Sequence, residues 1–344
     1  MVDRTLLHAD ETIPLLQGAL RLPVPFVLEN AYLRPGDGAF IGGSLIEGIG
    51  NAYSDIDVHV ITERLRQGHE IDVRRHYRVL TPDRSILKGS DPASEVFLIH
   101  TVVPGTHVKV DIEYRTLSEV EALARELGET FAYATRSLML LTKYLGVRDM
   151  AFVHRLFHAR DLAGGEYLAD LRARIGLVRF QYLLYRWKAS DFSVLLDILG
   201  AWDEGDLVRC ADLARENMVA QFQAYTHLCG NTNYHRKWII KSAQRCATEP
   251  KLLARYLRLL SAGFGLSASE IKEYILALMD FVDDIFAAGA HRLGAYAEVP
   301  SGMAACSAID ELMEKGDGEY SDMEIDYRKK AYGARTPATR ALFR

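Results

Sequence analysis

Apolar and polar residues alternate in short runs over the first third of the chain, whereas apolar residues recur every three or four positions over most of the rest. The first pattern is typical of strands and the second of helices. Strands are predicted at residues 55–62, 95–103 and 107–116, and the Pro-Gly-Thr sequence at 104–106 predicts an antiparallel hairpin. Before these strands, the apolar residues within 6–20 predict a short helix.

The helical pattern extends from residue 118 to about residue 290. Ser118-x-x-Glu121 and Ser267-x-x-Glu270 each have the sequence of a capping box, in which two side chains bond reciprocally to backbone N–H groups at a helix start. The apolar residues that follow the second box form a stripe that is predicted to be buried: Ile271, Ile275, Leu278, Val282 and Ile285. The sequence therefore predicts a helical region after the strands.

The change of pattern divides the chain into three predicted regions. Residues 1–117 are predicted to form a domain with a small mixed sheet, residues 118–294 an all-α domain, and residues 295–344 a C-terminal extension that is partly mobile. The predicted fold class is therefore α+β. The basic stretch 328–344 is predicted to be an extended or mobile tail, with an arm that docks on a partner or acidic ligand as the alternative.

Composition and charge narrow the class of protein. The 344 residues are 49% hydrophobic and 25% charged, which is the balance of an ordinary globular protein. The sequence has no apolar run of membrane-spanning length and no signal peptide pattern at its start, so a cytoplasmic location is expected. The net charge of −5 argues against a long nucleic acid as substrate. The cysteines (Cys210, Cys229, Cys246, Cys306) are too widely spaced to indicate a zinc site or a disulfide framework.

The stretch 40–61 carries the candidate chemistry. A short apolar strand there ends in Gly-Gly-Ser at 42–44, and Asp55 and Asp57 follow about ten residues later. Residues i and i+2 of a strand point to the same face, so the two carboxylates project together and repel each other unless a cation lies between them. Mg²⁺ prefers such oxygen ligands. The glycines let backbone N–H groups approach a phosphate, so the pattern indicates chemistry on a nucleoside triphosphate.

This order of motifs resembles the signature of the nucleotidyltransferase superfamily, which has the DNA polymerase beta-like fold. That family completes its metal site with a third carboxylate on a later strand, and this chain has Asp111 between two aliphatic residues. Glu113 lies two residues further on and shares the face of Asp111, so the choice between them stays open. The resemblance is specific over 40–61 and 108–114 and only general across the helical region.

The resemblance implies an N-terminal nucleotidyltransferase domain and a helical domain that closes a cleft. It implies that a hydroxyl group attacks the α-phosphate of a nucleoside triphosphate, usually ATP, and releases pyrophosphate. Asp55, Asp57 and Asp111 are the implied catalytic residues and the ligands of two Mg²⁺ ions. The residues implied for binding the phosphates are Gly42, Gly43 and Ser44.

A basic stretch in the helical region is a second candidate. Lys237, Lys241 and Arg245 fall at i, i+4 and i+8, which places three cations on one helix face. In similar enzymes, basic residues of the helical domain reach the triphosphate, so Lys237 and Lys241 are predicted to bind it. The alternative is an ordinary solvated basic face.

Several other residues are weaker candidates. Glu47, Asn51 and Ser54 lie in the spacer and could contact a ligand or only shape the loop. His154 and His158 are spaced like zinc ligands on a helix, but the sequence offers neither a glutamate between them nor an obvious third ligand. We therefore do not predict zinc.

The acceptor is the open question. The size, the single helical partner domain and the acidic balance favour a small-molecule acceptor, as in the nucleotidyltransferases that modify aminoglycosides. One alternative is transfer to a macromolecule or nucleotide, such as a protein, an RNA end or a cyclic dinucleotide. The other is a catalytically silent nucleotide-binding module, although closely spaced carboxylates without a metal are costly.

Overall fold

A computed structural model describes residues 7, 11–89, 91, 93–262, 267–315, 320–334 and 336–344. The chain divides into two compact units, and each is built from more than one segment. The sheet unit consists of Met1–Gly128 and Leu145–Leu177, and the helical unit consists of Glu129–Tyr144 and Val178–Arg344.

The sheet unit contains short strands and a few helices. In chain order, the strands are β1 (Thr12–Leu15), β2 (Leu20–Pro23), β3 (Gly38–Gly42), β4 (Ile56–Thr62), β5 (Arg66–Gln67), β6 (Arg78–Leu80), β7 (Glu95–Val96), β8 (Leu98–Val102), β9 (Lys109–Thr116) and β10 (Arg160–Ala163). The helices that begin in it are α1 (Val24–Asn30), α2 (Leu117–Ala134), α3 (Val147–His158), α4 (Gly165–Ile175) and α5 (Leu177–Arg186). Helix α2 ends in the helical unit, and α5 continues there from its second residue.

Six strands of the described residues form the main sheet, in the order β10-β3-β4-β9-β8-β6. Strands β4 and β9 are parallel, and every other neighbouring pair is antiparallel. The predicted mixed sheet is confirmed, and so is the predicted hairpin, in which Val102 of β8 pairs with Lys109 of β9.

One face of this sheet forms the core of the unit. Val58 and Val60 of β4 and Ile112 and Tyr114 of β9 are fully buried there, in one cluster with apolar residues of β1, β2 and α1. Complete burial of an aliphatic side chain contributes about 1.5–3 kcal/mol, so this alternation fixes which face of β4 and β9 points inward. The tyrosine hydroxyl donates a hydrogen bond to the carbonyl of Ala31, 2.9 Å away.

Helix α3 covers part of the opposite face. Phe152 of α3 is fully buried and lies 5.6 Å from the ring of Phe40 on β3 and 5.4 Å from that of His59 on β4. Gly42, at the end of β3, and Asp57, near the start of β4, pair with each other and are not part of this aromatic cluster of Phe40, His59 and Phe152.

The helical unit continues from α5 with α6 (Phe192–Asp203), α7 (Leu207–Leu228), α8 (Ile239–Arg245), α9 (Pro250–Leu260), α10 (Ala268–Leu293), α11 (Gly302–Lys315) and α12 (Asp322–Lys330). The predicted capping box at Ser267 and Glu270 is present at the start of α10. The sheet followed by helices confirms the predicted α+β class. Among the described residues, none of these helices has both the length and the apolar character needed to cross a bilayer.

Two local predictions are wrong. Within 6–20 the described residues form β1 and the turn into β2 rather than a helix, because Leu16 and Gln17 have positive φ angles of 50° and 58°. Helix α2 begins one residue earlier than Ser118, and its box is made by Thr116 and Glu119, whose side chains each accept a hydrogen bond from the other residue's N–H group.

The compact units also differ from the predicted regions. Strand β10 lies at the edge of the sheet and belongs with residues 1–128 rather than with the helical region. Of the predicted tail 328–344, residues 328–330 complete α12, residues 339–342 form a 3₁₀ turn, and Tyr332 is buried. Arg328 donates a hydrogen bond to the carbonyl of Met139, 3.0 Å away, within the same unit. The division into a catalytic and a cleft-closing domain stays a prediction.

Candidate active site

Neighbouring strands place the candidate residues in one row across the sheet. Asp57 of β4 pairs with Gly42 of β3 on one side and with Asp111 of β9 on the other, and Asp111 pairs in turn with His100 of β8. Paired residues of adjacent strands project on the same face. The register therefore brings together residues that lie up to 69 positions apart in sequence (42 to 111). Asp55 lies just before β4, two residues ahead of Asp57, and is exposed.

The loop after β3 is a tight series of turns rather than a helix. Gly43 has a φ of +96°, a left-handed conformation that glycine adopts without strain. The carbonyl of Ser44 accepts hydrogen bonds from the N–H groups of residues 49 and 50 at 2.9 and 2.7 Å, which closes the loop. Within the described residues, the N–H groups of Ser44, Leu45 and Ile46 and the Ser44 hydroxyl donate no hydrogen bond. The loop thus presents donors that lack acceptors.

This loop lies directly against Asp57. A Cβ atom on Gly43 would be only 2.5 Å from Oδ2 of Asp57, so a glycine is required for this approach. A Cβ atom on Gly42 would lie 3.2 Å from the Cβ atom of Arg155 on α3. The two glycines therefore make room for different neighbours, a carboxylate in one case and an arginine in the other.

Arg155 is an unpredicted member of the site. Its Nε atom lies 2.9 Å from Oδ2 of Asp57, and the side chains are 24% and 16% exposed respectively. Burial raises the pKa of Asp57 to about 6, and the charges of Asp55 and Asp111 act in the same direction, while Arg155 opposes them. The charges of Asp55 and Asp111 thus act on Asp57, and the guanidinium group of Arg155 partly compensates them.

The two candidates for the third carboxylate have different surroundings. Asp111 lies beside Asp57 in the row, and its Oδ1 atom is 2.6 Å from Nδ1 of His100. Glu113 lies two residues further along β9 and pairs with His59 of β4. Its Oε1 atom is 2.8 Å from Nε of Arg148 and 3.2 Å from Nε of Arg115. Burial would raise the pKa of Glu113, but the nearby positive charges outweigh it and lower that pKa. Glu113 is therefore held in an ion-pair cluster, whereas Asp111 is next to Asp57.

The candidate ligand atoms have the chemistry that a hard cation prefers, but their side chains do not have the arrangement of a metal site. Asp55, Asp57 and Asp111 supply carboxylate oxygens, which are the ligands that Mg²⁺ prefers. The close approach of Gly43 keeps the space beside Asp57 free of side-chain atoms from that loop. Among the described residues, no group of three or more His, Cys, Asp or Glu side chains has the arrangement of a metal site. The donor set therefore fits Mg²⁺ in its chemistry, and the arginine on Asp57 is the cation present in this arrangement.

The spacer residues mostly serve the loop and its neighbours. Asn51 accepts a hydrogen bond from the N–H group of residue 53 at 2.9 Å, and the hydroxyl of Ser54 accepts one from the N–H group of Asn51 at 3.0 Å. Glu47 and His154 form a buried pair with 3.0 Å between Oε1 and Nε2, and the ring of His158 lies 4.9 Å from that of His154. His154, whose spacing resembled that of a zinc ligand, thus contacts the loop between β3 and β4.

The basic residues predicted to bind triphosphate belong to the helical unit. Lys237 lies in a single 3₁₀ turn, Arg236–Trp238, and Lys241 lies in α8. Their Nζ atoms are 5.4 and 5.6 Å from the centre of the Trp238 ring, so both ammonium groups lie near that ring. Lys237 precedes α8, so the three predicted cations do not lie on one helix. Their role as phosphate ligands stays a prediction.

Sequence reasoning missed Arg155 and His100. An arginine on a predicted helix and a histidine on a predicted strand carry no motif of their own. A period-two count from Leu98 would have placed His100 on one face of β8, but its pairing with Asp111 depends on the register of the hairpin.

Comparison with known proteins adds a distant likeness to solved structures. No family model matches the chain, and no curated protein matches it. Among solved structures, a nucleotidyltransferase-like protein from Exiguobacterium sibiricum 255-15 aligns with 90% of this chain and 86% of its own, at a TM-score of 0.40 and 11% identity. The likeness is too distant to assign a function. The function proposed for this chain therefore depends on its own residues.

Proposed function

We propose that this protein is a Mg²⁺-dependent nucleotidyltransferase that transfers a nucleoside monophosphate from a nucleoside triphosphate, ATP first, to a hydroxyl group of a small molecule. The observation that carries the proposal is the row on the sheet, in which Asp57 lies between Asp111 and the glycines that open the loop. Carboxylates beside unpaired N–H donors match the two needs of a triphosphate, which are cations for its charge and donors for its oxygens.

Each group has a role in this proposal. The loop N–H groups after Gly43 and the Ser44 hydroxyl bind oxygens of the β- or γ-phosphate, as N–H groups at a tight turn do. Asp55, Asp57 and Asp111 hold two Mg²⁺ ions, which supply positive charge where the α-phosphate and the leaving pyrophosphate become more negative. Asp111 also accepts the proton of the attacking hydroxyl group, and His100 orients its carboxylate.

Arg155 has to leave Asp57 before that carboxylate can hold a metal. This pair is mostly buried, so both charged groups would need new partners when it opens: Asp57 would hold Mg²⁺, and the guanidinium group of Arg155 would contact phosphate oxygens. The side chain carries a guanidinium group, which suits phosphate oxygens. We therefore propose that Arg155 exchanges Asp57 for the triphosphate when the nucleotide binds.

The same ion pair favours a second candidate function. If Arg155 replaces the metal permanently, the unit binds a nucleotide without transferring it. A long nucleic acid is less favoured as the acceptor, because the net charge of the chain is −5.

Calorimetric titration with each nucleoside triphosphate, with and without Mg²⁺, tests the proposal. We expect one nucleotide to bind the wild type in a Mg²⁺-dependent way and to bind Asp57→Asn more weakly. Asp203→Asn, at an exposed position of α6, is the matched control and should bind like the wild type. The preferred nucleotide is then incubated with a panel of hydroxyl compounds, aminoglycosides included, and pyrophosphate release is measured.

The outcomes separate the candidates. Mg²⁺-dependent binding with pyrophosphate release in the presence of one acceptor supports the transferase. Binding that does not depend on Mg²⁺, with no release for any acceptor, supports the silent module. Equal binding by the wild type and Asp57→Asn contradicts the site assignment.

A further inference from the structure

A cavity of about 460 Å³ lies within the helical unit, between the segment that follows α5, the N-terminal part of α6, α7 and the segment 234–236. Its volume is in the range of small-molecule sites, which is about 300–1,000 Å³. Trp187 and Tyr234 supply aromatic walls, and Lys188, Gln221 and Gln223 supply polar groups. None of its lining residues belongs to the sheet unit that carries Asp55, Asp57 and Asp111, although Arg236 directly precedes Lys237.

Lys188 is the only lysine that lines this cavity, and it has no anionic partner among the described residues. Its Nζ atom lies 4.5 Å from the centre of the Tyr234 ring, which is a cation–π contact. Partial burial lowers the pKa of this amine, and no nearby carboxylate counteracts that effect. A half-buried ammonium group that lacks an anion is a favourable position for an anionic ligand group.

The acidic residues at the rim are already engaged. A carboxylate oxygen of Asp191 accepts hydrogen bonds from the N–H group and the hydroxyl of Ser193 at 3.2 and 2.7 Å and caps α6. Glu216 lies 3.8 Å from the guanidinium of Arg236, and both are mostly exposed. Neither carboxylate forms an ion pair with Lys188.

Two glutamines bond to backbone groups of the cavity wall, and one of them keeps an acceptor atom without a donor. Gln221 donates to the carbonyl of Lys188 at 3.0 Å and accepts from the N–H group of Ser190 at 3.0 Å, so it fixes the chain around the lysine. Gln223 donates to the carbonyl of Tyr234 at 2.7 Å, which fixes the aromatic wall. Its Oε1 atom accepts no hydrogen bond from the described residues, although only 2% of Gln223 is exposed.

We infer that this cavity binds a small planar organic anion, whose carboxylate or phosphate contacts Lys188 while its ring lies against Tyr234 and Trp187. The ammonium group supplies the charge and the aromatic walls supply the apolar surface. The inference does not depend on the proposed function, because the cavity and its residues lie entirely within the helical unit.

Calorimetric titration of the full chain with four probes tests the inference. Benzoate and phenyl phosphate carry the ring and the two kinds of anion, benzamide is the neutral analogue, and benzylammonium is the cationic one. We expect saturable binding of at least one anion at concentrations up to about 10 mM, and binding of neither benzamide nor benzylammonium at those concentrations. Lys188→Met should weaken the anion by about tenfold or more, because hydrogen bonds to charged groups are the stronger ones.

Two further measurements separate binding from a structural role. Lys188→Met should leave the melting temperature unchanged or raise it, since a half-buried charge without a partner is removed. Trp187 lies in the wall, so the anion should change tryptophan fluorescence in the wild type and much less in Trp187→Phe, while calorimetry still detects binding to that variant.

Failure of both anions to bind the wild type overturns the inference, and this result does not require any variant to fold. Equal affinity for benzamide and benzoate also overturns it, because the lysine would then have no part in recognition. A lower melting temperature of Lys188→Met together with unchanged anion affinity would assign the lysine to packing against Tyr234 alone.

Discussion

His59 makes the stability of the sheet unit depend on pH in a way that can be calculated. Only 2% of this β4 residue is exposed, and its ring stacks on Phe40 at 5.0 Å. Neither ring nitrogen has a hydrogen-bond partner among the described residues. Burial lowers the pKa of His59 to about 3, so the ring is neutral in the folded chain. In the unfolded chain the same side chain titrates with a pKa of about 6.5.

The sign follows from proton binding. Below about pH 6.5 the unfolded state binds a proton that the folded state excludes, so the free energy of unfolding falls as the pH falls. The loss is about 1.4 kcal/mol per pH unit until the folded pKa is reached. Relative to pH 7.5, His59 lowers the free energy of unfolding by about 1.4 kcal/mol at pH 5.5 and by about 2.7 kcal/mol at pH 4.5.

Asp57 acts in the opposite direction. Its folded pKa of about 6 lies above the unfolded value, so this carboxyl group adds stability as the pH falls from about 6 towards 4. The pH profile of the wild type is therefore partly flattened, and the contribution of His59 has to be measured as a difference between two proteins.

Urea unfolding of the wild type and His59→Leu at pH 7.5, 5.5 and 4.5 measures that difference. At pH 7.5 the variant should be as stable as the wild type or more stable, since an unpaired buried polar atom costs about 1–3 kcal/mol. At pH 5.5 its advantage should grow by about 1.4 kcal/mol. His291→Leu, which replaces an exposed histidine of α10, is the control and should keep the wild-type profile. Parallel profiles for His59→Leu and the wild type would refute a neutral, buried ring.

The remaining predictions concern the candidate active site. Asp57→Asn should lower transfer activity at least about 10²-fold while leaving the midpoint of thermal unfolding in place, because it removes a desolvated charge; Asp203→Asn should change neither. Gly43 and Gly36 have φ values of +96° and +90°, so replacing either by alanine should lower the free energy of unfolding by about 1 kcal/mol. Only Gly43→Ala places a Cβ atom against Asp57, so only this variant should bind nucleotide more weakly in calorimetry. Arg155→Gln should tighten binding of Mn²⁺ in the absence of nucleotide, as electron paramagnetic resonance can detect, and weaker Mn²⁺ binding would contradict the displacement of Arg155.

The sequence predicts the parts of the site whose causes are local. The turn at Gly43 follows from its backbone freedom. The strand period predicts a common face for Asp55 and Asp57, but Asp55 lies one residue before β4, so this placement stays a prediction. The pairing of Asp57 with Asp111 does not follow, because a parallel register is set by packing against a helix layer that the strand pattern does not describe.

Other features depend on tertiary contacts alone. Arg155 contacts Asp57 across 98 positions of sequence (57 to 155), and nothing near either residue indicates the other. Strand β10 has only four residues, two of them charged, so its pattern is too short to be distinguished from a helix end. Only its antiparallel pairing with β3 identifies this segment as a strand.

The discontinuity of the sheet unit has a consequence for how the protein is made. Ribosomes deliver the chain from its N-terminus at roughly 5–20 residues per second, so the segment 129–177 follows residue 128 after about 3–10 s. Until then β3 lacks its partner β10, and Phe40 lacks the cover of Phe152. A nascent chain with an unpaired edge and an uncovered aromatic face is a natural client for chaperones, and a stop codon placed after residue 128 would leave it in that state permanently.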